Sequence, residues 1–372
     1  MANKQNKVLK VILSILLVVV VAVGGYAAYL EQGYYRIADN VAVSPMNNQG
    51  IDSSLKLNHD YTASTYNVGF GAYTDDYTFF MDEGVMKDGT PKKGVESRAH
   101  SKQSVEKCTQ GYIDTLNKVK PDFMCFQEVD VDSDRSYHVN QLEELANAYP
   151  NYEEIYASNF HTRFLMYPLT CPHGSVSGGL ATFSKYKTTS NVRRSYPIDE
   201  SWPTKYFDLD RCFVITRVPV EGGHELVLIN SHMSAYDKGG TSREKQLALL
   251  SGVLESERAK GNYVIAAGDW NHALCGSVEM YPSEQKVPAW VSILNDNDLP
   301  EGFRVVRPTD LEQVPTCRGV DIPYKKGVTY TTTVDGFIVS DNVDASAYTI
   351  DTHFKFSDHN PQTLNFRLEQ AK

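Results

Sequence analysis

The sequence predicts a layered α/β domain that follows one membrane-spanning helix. The first observation is a series of near-continuous apolar runs, which are typical of strands covered on both faces of a sheet. The second is a set of segments with apolar residues three and four positions apart, the periodicity of helices. The third is an uncharged stretch at 11–30, which is long enough to cross a bilayer because such a helix rises about 30 Å.

The amino-terminal segment predicts an anchor in the cell membrane. Lys4, Lys7 and Lys10 are the only charged residues before Glu31, and lysines that flank an apolar span tend to remain cytoplasmic. We therefore predict a short cytoplasmic segment at 1–10, a transmembrane signal anchor at 11–30, and a single-pass protein with an extracytoplasmic domain. The alternative is a cleaved signal peptide, because glycines and alanines between positions 24 and 28 could form a cleavage site.

Downstream of the anchor the composition becomes polar and then changes again. Residues 31–60 predict a tether. Residues 61–368 contain no further linker or repeat and predict one domain, whose length of about three hundred residues is common in layered α/β enzymes. Apolar periodicity predicts helices over 101–119 and 242–259, with a third near 138–148.

Charge and cysteine content exclude several classes of protein. The chain has 36 Lys and Arg against 46 Asp and Glu, a formal net charge of -10, which argues against electrostatic coating of nucleic acid. None of the six cysteines forms a C-x-x-C pair, which argues against a zinc ribbon or a thioredoxin site. Cys125 and Cys212 lie in strand-like runs and are predicted to be buried free thiols. The state of the other four stays open, since export would permit disulfides.

Several apolar runs end in polar residues that could carry chemistry. Loops at the strand ends of such sheets are held by a rigid scaffold, and ligand sites gather there. Near the ends of these runs, in chain order, lie Asn67, Glu128, His232, Asp269, Asn271, Asp335, Asp358 and His359. We therefore expect these eight residues to converge at one site.

This set of side chains suits metal-assisted attack of water on a phosphoester. The sequence contains no serine elbow, no H-E-x-x-H motif and no Walker loop. A hard cation such as Mg²⁺ binds through one or two carboxylates, water and substrate oxygens, a role that suits Glu128. A histidine can take a proton from water near neutral pH when a carboxylate fixes its tautomer. Asn67, Asn271 and a protonated His232 could donate hydrogen bonds to the phosphoryl oxygens.

Six short segments resemble the motifs of the endonuclease/exonuclease/phosphatase superfamily, whose fold is that of deoxyribonuclease I. They are Tyr-Asn-Val at 66–68, Phe-Gln-Glu-Val at 126–129, Gly-Leu-Ala-Thr-Phe-Ser at 179–184, Asn-Ser-His-Met at 230–233, Gly-Asp-Trp-Asn at 268–271 and Ser-Asp-His-Asn-Pro at 357–361. The resemblance covers about residues 61–366 and points to a membrane-anchored member of bacterial type. It implies a four-layer α/β sandwich, with two packed mixed β-sheets flanked by helices, and a catalytic domain at 61–368 that hydrolyses phosphoesters with Mg²⁺, for which Mn²⁺ or Ca²⁺ could substitute.

Carried over residue by residue, the resemblance also implies roles at the site. Those implied to act on the reacting atoms are His359 as general base, Asp335 as its orienting partner, Asp269 as the group that positions water, and His232 as the contact to the phosphate or leaving group. Those implied to bind are Asn67 and Asn271 for phosphate and nucleophile, Glu128 as metal ligand, and Asp358 as support for the metal region.

The sequence departs from the nucleases of this family that act at abasic sites. Such nucleases have an acidic residue two positions after the motif asparagine, where this chain has Gly69, and a tyrosine before the glycine-rich strand, where it has Val-Ser-Gly at 176–178. His232 in Ser-His-Met fits the deoxyribonuclease and sphingomyelinase branches better. Arg135 could contact the substrate or form a surface salt bridge.

The expected substrate is a phosphodiester, either extracellular nucleic acid or a phospholipid or sphingomyelin-type headgroup. The alternatives are a soluble sugar or inositol phosphomonoester, and a non-catalytic surface module on the same fold. Anchoring near a bilayer favours a lipid, although the sequence shows no exposed apolar hairpin. We expect a monomeric catalytic domain that is attached to the membrane by its N-terminal helix and forms no stable complex with nucleic acid.

Overall fold

The computed structural model describes residues 2–47, 49–235 and 241–370. The helices are α1 (Ala2–Gly33), α2 (Lys102–Leu116), α3 (Gln141–Ala148) and α4 (Thr241–Ala259). The last three confirm the helices predicted from periodicity. Helix α2 begins where Oγ of Ser101 accepts a hydrogen bond from the backbone N–H of Ser104 at 3.1 Å, which satisfies one of the free donors at a helix start.

Nineteen strands complete the regular structure of the described residues. The first seven are β1 (Val41–Ala42), β2 (Tyr61–Asn67), β3 (Glu83–Val85), β4 (Pro91–Lys93), β5 (Phe123–Asp130), β6 (Glu153–Leu165) and β7 (Gly174–Ser184). The next six are β8 (Ser190–Ser195), β9 (Cys212–Pro219), β10 (Glu225–His232), β11 (Tyr263–Asp269), β12 (His272–Leu274) and β13 (Ser292–Leu294). The last six are β14 (Phe303–Val305), β15 (Cys317–Arg318), β16 (Thr331–Thr332), β17 (Asp335–Ser340), β18 (Val343–Thr349) and β19 (Gln362–Leu368).

Two large mixed sheets organise these strands. The first sheet has seven strands in the order β1-β8-β9-β10-β11-β17-β14, and the second has six in the order β18-β19-β2-β5-β7-β6. Each sheet is mainly antiparallel but contains one parallel pair near its centre, β10 with β11 in the first sheet and β2 with β5 in the second. Three two-stranded sheets, β12-β13, β15-β16 and β3-β4, lie in the connections.

The two large sheets pack face to face through alternate side chains. Phe123 and Cys125 of β5 lie in one buried cluster with Leu228 of β10 and Leu364 of β19. The intervening positions point outward, because successive side chains of a strand lie on opposite faces. On the outer faces, α4 packs against the first sheet, and α2 and α3 pack against the second. The order of layers is therefore helix, sheet, sheet, helix, which confirms the predicted four-layer sandwich.

The segment predicted as a tether packs along the domain, so that prediction needs correction. Val41 pairs with Arg193 at the edge of the first sheet, and the Arg36 guanidinium contacts the Asp210 carboxylate at 2.8 Å. Leu55 is fully buried between the sheets. Arg193 and Asp210 lie more than a hundred residues from Val41 and Arg36 in sequence, so the polar composition of 31–60 did not indicate these contacts.

Cysteine burial agrees with the prediction for the two strand positions. Cys125 and Cys212 are buried free thiols. The other four cysteines are also free in the described structure.

Helix α1 is long and apolar enough to cross a membrane, and its apolar window is not buried against the domain. Its last turns contact the domain, where Leu30 and Leu165 lie in one apolar cluster.

Candidate active site

Three neighbouring strands of the first sheet present polar side chains in one row. His232 ends β10, Asp269 ends β11 and Asp335 begins β17. In the register of the sheet, His232 lies beside Asp269 and Asp269 beside Asp335. Because β17 runs antiparallel to the other two strands, its start meets their ends at the same edge. All three side chains are buried.

The second sheet contributes Asn67 and Glu128. Asn67 is the last residue of β2, and Glu128 lies in a bulge of β5 with a φ of 57°. A bulge redirects side chains out of the regular alternation of a strand. Nδ2 of Asn67 donates to Oε1 of Glu128 at 3.1 Å and to Oδ2 of Asp269 at 3.0 Å. One carboxamide therefore connects carboxylates from both sheets.

His359 lies in the loop before β19 and pairs with Asp335. Its Nδ1 atom is 2.7 Å from Oδ2 of Asp335, and both side chains are buried. This contact leaves Nε2 directed toward Asp269, 3.8 Å from Oδ2. Burial lowers the pKa of His359, but neighbouring carboxylates, Asp335 foremost, raise it well above its usual value. The pair has the geometry by which a carboxylate fixes the tautomer of a basic imidazole.

His232 differs from His359 in its electrostatic surroundings. Its Nε2 atom lies 3.5 Å from Oδ2 of Asp269 and 3.8 Å from Oε1 of Glu128. Burial, followed by the positive charges of Arg211 and His359, lowers the pKa of His232 well below its usual value. These surroundings favour the neutral ring, which can donate from one nitrogen only, whereas the expected role assumed a protonated His232.

Glu128 and Asp358 both line the cleft and offer carboxylate oxygens to it. Their side chains are 21% and 14% exposed, more than the other carboxylates of the site. Burial raises the pKa of Asp358 to about 7; the charge of Glu128 adds to this rise, while His359 opposes it. Burial and the charge of Glu128 oppose ionisation of Asp358. A bound cation would offset both effects and so favour the ionised carboxylate. Oxygen ligands of this type are those that Mg²⁺ prefers.

A second group of atoms that could bind a metal ion is more buried than Glu128 and Asp358. Atoms of Asp269, Asp335 and His359 all lie within 4.8 Å of one another. In this group, however, Oδ2 of Asp335 already contacts Nδ1 of His359. A cation there would compete with that hydrogen bond, so the pair of Glu128 and Asp358 fits a hard cation better.

Asn271 lies two residues after Asp269, and hydrogen bonds from its backbone and its side chain hold it in place. Its backbone N–H donates to Oδ1 of Asp269 at 2.9 Å, and its Nδ2 donates to the carbonyl of Met233 at 2.9 Å. The residue has a φ of 50°, a conformation that asparagine tolerates better than most residues. These contacts place the Asn271 side chain in the wall of the cleft.

Gly69 occupies a position where no side chain fits. Its backbone N–H donates to Oδ1 of Asn67 at 3.0 Å, and its φ is 51°. A Cβ atom here would lie 2.5 Å from Cδ2 of Tyr73 and 3.0 Å from Oδ1 of Asp358. The absence of an acidic residue at this position thus follows from the packing around Asp358.

Arg135 forms a buried ion pair, which corrects the expectation of a surface salt bridge. Its Nε and Nη2 atoms contact both oxygens of Asp130, at 3.0 Å and 2.8 Å, and the side chains are 6% and 0% exposed. The guanidinium also lies 3.8 Å from the ring centroid of Phe70. Arg135 reaches the cleft wall, but its hydrogen-bonding capacity is directed mainly to Asp130.

Three residues near the site were missed by sequence reasoning. Arg211 lowers the pKa of His232. Arg318 is 2% exposed and donates to the carbonyl of Thr74 at 2.8 Å. Sγ of Cys317 lies 3.7 Å from Nε2 of His359. None follows an apolar run in the way the predicted residues do, so the strand-end pattern could not find them.

One cleft brings the predicted residues together. The predicted residues that line it are Glu128, Arg135, His232, Asp269, Asn271, Asp358 and His359. Asn67 and Asp335 lie directly behind this lining, bonded to Asp269 and His359 respectively. The structure therefore unites in one place all nine residues singled out from positions 67 to 359.

Solved structures share this fold at low sequence identity. An endonuclease/exonuclease/phosphatase from Beutenbergia cavernae is 17% identical, with a TM-score of 0.54, and the match covers 84% of this chain and 72% of that one. TDP2 from D. rerio, solved with a single-strand DNA product, is 14% identical, with a TM-score of 0.52 and coverage of 83% and 100%. ANGEL2, described as a 2′,3′-cyclic phosphatase, is 14% identical, with a TM-score of 0.52 and coverage of 90% and 100%.

One of the sequence comparisons matches most of the chain. No curated protein matches the chain significantly. The model of the Endonuclease/Exonuclease/phosphatase family, in contrast, matches residues 64–359, a range that begins three residues before Asn67 and ends at His359. With the four-layer sandwich and the shared cleft, this match shows that the chain belongs to the endonuclease/exonuclease/phosphatase family.

Proposed function

We propose that this protein is a divalent-cation-dependent phosphodiesterase in which His359 activates the attacking water. The observation that carries the proposal is the 2.7 Å contact between His359 and Asp335 in the cleft that also holds Glu128 and Asp358. A general base must lie within reach of the proton it abstracts, and its partner must hold the reactive tautomer. The Nε2 atom of His359 meets both requirements, since it faces the cleft while Nδ1 is occupied.

Glu128 and Asp358 would hold the cation, for which Mg²⁺ is the best fit, with Mn²⁺ or Ca²⁺ able to substitute. When bound, such an ion neutralises charge on the phosphoryl oxygens. The carboxylate of Asp269, 3.8 Å from Nε2 of His359, is placed to orient a water molecule between the two groups. Its own orientation is fixed by Asn67 and by the backbone of Asn271.

The remaining polar groups would contact the phosphoryl group. His232 in its neutral form can donate one N–H, and Asn271 lies in the cleft wall. Asn67 in its present arrangement donates to Glu128 and Asp269. Glu128 would hold the cation, and Asn67 would keep the carboxylates of Glu128 and Asp269 in position beside the phosphate. Donors that are held in position before reaction are worth most where water is excluded.

We also propose that helix α1 anchors the protein as a single-pass membrane protein with its catalytic domain outside the cytoplasm. The support is the length and apolar character of the helix together with the lysines at its start, which favour a cytoplasmic amino terminus. The descriptions of two similar structures support the reaction class: TDP2 was solved with a single-strand DNA product, and ANGEL2 is described as a 2′,3′-cyclic phosphatase.

The proposal can be tested with the purified full chain and bis-p-nitrophenyl phosphate. Hydrolysis should require Mg²⁺ and stop with EDTA. In water enriched in ¹⁸O, the label should enter 4-nitrophenyl phosphate, because the water oxygen attacks phosphorus. Activity that persists in EDTA, or label that appears in nitrophenol instead, would contradict the proposed mechanism.

A further inference from the structure

A group of exposed apolar side chains lies at one edge of the cleft. Phe164 lies near the end of β6, three belong to the loop between β6 and β7, and the fifth precedes a short 3₁₀ turn at 204–206. Their exposed fractions are 37% for Phe164, 47% for Met166, 55% for Tyr167, 81% for Leu169 and 70% for Trp202. We call these five residues the apolar rim. A soluble surface seldom groups so many large apolar side chains unless they contact a partner or a membrane.

The apolar rim is attached to the end of helix α1. The hydroxyl of Tyr26 donates to the carbonyl of Phe164 at 3.1 Å and accepts from the backbone N–H of Met166 at 2.9 Å. The backbone N–H of Phe164 donates to the hydroxyl of Tyr29 at 3.3 Å. On the other side, Lys205 forms an ion pair with Glu31 at 2.8 Å, which ties the turn after Trp202 to the same end of the helix.

These contacts determine at which level of the bilayer the apolar rim would lie if helix α1 spans it. The uncharged span runs from Val11 to Leu30, so Tyr26 and Tyr29 lie in its last two turns. A tyrosine near the end of a spanning helix sits at the headgroup level of the bilayer. Because each residue of a helix rises about 1.5 Å, the Cα atom of Tyr26, whose hydroxyl bonds the backbone of Met166, lies about 6 Å from the level of Leu30.

The same two loops also line the cleft. Leu165 at the end of β6, Tyr167 in the loop that follows, and Phe207 and Leu209 after the 3₁₀ turn share the cleft with the catalytic groups. The ring of Tyr167 contacts Phe80, another residue of the lining, at a centroid distance of 5.6 Å. The cleft thus has a polar base at Glu128 and His359 and an apolar wall that continues into the rim.

We propose that the apolar rim inserts into the interface of the bilayer crossed by α1, so that the cleft opens toward membrane phospholipids. This inference rests on the proposed function for its chemistry, since the phosphodiester of a headgroup would reach the polar base while the adjoining apolar part of the lipid lies along the wall. The membrane is the occupant favoured by the structure, because the rim is continuous with the helix that spans it. Duplex DNA, in contrast, presents chiefly its charged phosphates to a protein surface, which an apolar wall does not bind.

The contact itself is tested without any activity. The full chain is reconstituted into phosphatidylcholine vesicles that contain, or lack, phosphatidylcholine brominated near the headgroup. Trp202 is one of three tryptophans, and the other two belong to the folded domain, Trp270 fully buried and Trp290 partly so. Bromolipid should quench the emission of the wild type, and most of that quenching should be lost in Trp202→Phe. An unquenched wild type, or equal quenching in Trp202→Phe, would overturn the membrane contact.

Access of the lipid is tested by a double variant, Met166→Asp with Leu169→Asp. In vesicles of phosphatidylcholine, phosphatidylglycerol or sphingomyelin, hydrolysis of lipid should fall by about tenfold or more, because two apolar side chains leave the interface. Hydrolysis of soluble bis-p-nitrophenyl phosphate should stay unchanged. Ile293→Asp is the matched control, since Ile293 is an exposed apolar residue, 53% exposed, on β13, and it should change neither rate.

The two proposals fail in different ways. A wild type that hydrolyses bis-p-nitrophenyl phosphate and plasmid DNA but none of the vesicle lipids would overturn lipid access and leave the phosphoesterase in place. A wild type that hydrolyses none of these substrates would overturn the proposed function, while the quenching result would still decide the membrane contact. Equal loss of soluble and lipid hydrolysis in the double variant would show damage to the fold and reject a specific role for the rim.

Discussion

The Asp335 carboxylate lies 2.7 Å from the Nδ1 atom of His359, and neither side chain is exposed to bulk solvent. The two residues come from different sheets, one from the start of β17 in the first sheet and one from the loop before β19 in the second. Asp335 therefore fixes the tautomer of the imidazole and raises its pKa, while the opposite nitrogen stays available in the cleft.

Replacement of Asp335 should change both the rate and its pH dependence. His359 acts as a base only when neutral, so activity should rise with pH through its pKa. Because Asp335 raises that pKa, Asp335→Asn should lower it and shift the acidic limb of the pH–rate profile to lower pH. The rate at the optimum should fall by about 10²-fold or more, since the reactive tautomer is no longer held. An acidic limb at unchanged pH would show that His359 is not the group that titrates.

Removal of either carboxylate of the proposed cation pair should weaken Mg²⁺ binding. The pKa of Asp358 is raised to about 7, so this carboxyl is increasingly protonated below that pH and less able to bind a cation. Mg²⁺ affinity of the wild type, measured by isothermal titration calorimetry, should therefore fall from about pH 8 to about pH 6. Asp358→Asn should bind more weakly and lose most of this pH dependence. Binding by Glu128→Gln equal to that of the wild type would place the cation elsewhere.

The ion pair of Arg135 and Asp130 should matter for stability. Arg135→Met leaves the fully buried Asp130 carboxylate without its partner, which should cost about 3–5 kcal/mol in the free energy of unfolding. The control is Arg307→Met, whose ion pair with Glu312 is 53% and 76% exposed and should contribute about 0–1 kcal/mol. Urea denaturation measures both. A stable Arg135→Met variant with a raised KM would instead assign Arg135 to substrate binding.

Gly69 should tolerate no side chain. Gly69→Ala combines a φ of 51° with a Cβ atom only 2.5 Å from the Tyr73 ring, so we expect a loss of stability together with a loss of activity through displacement of Asn67 and Asp358. Gly89→Ala is the matched control, because Gly89 also has a positive φ, 93°, but nothing lies within 4 Å of the added Cβ. Thermal unfolding and hydrolysis rates of the two variants should differ clearly; equal effects would attribute the role of Gly69 to its backbone conformation alone.

Local sequence pattern predicted the elements and the residues at strand ends. The runs before His232 and Asp269 became neighbouring strands, and their register alone brings both side chains to one edge. The prediction that two sheets pack together rested on the resemblance of six short motifs to a known family, because no local pattern specifies which faces of two sheets meet.

Features that depend on distant partners could not be predicted. Leu55 is buried in a cluster that includes residues far along the chain, such as Leu228 and Leu364, so the surrounding polar composition suggested a tether. Burial and Arg211 favour the neutral form of His232, and neither effect is visible in the sequence. The apolar rim escaped notice although Phe-Leu-Met-Tyr-Pro-Leu at 164–169 is a nearly continuous apolar run, because the run alone shows neither how much of it is exposed nor that it contacts the end of α1.

The most direct test of the central claim compares two histidine variants of the full chain on bis-p-nitrophenyl phosphate with Mg²⁺. His359→Ala should reduce kcat by at least about 10²-fold, the lower end of the contribution of a positioned base. His59→Ala, which changes an exposed histidine near the opposite end of the strand that carries Asn67, should leave kcat unchanged. A His359→Ala variant that retains the wild-type kcat would contradict the assignment of His359 as the base that activates water.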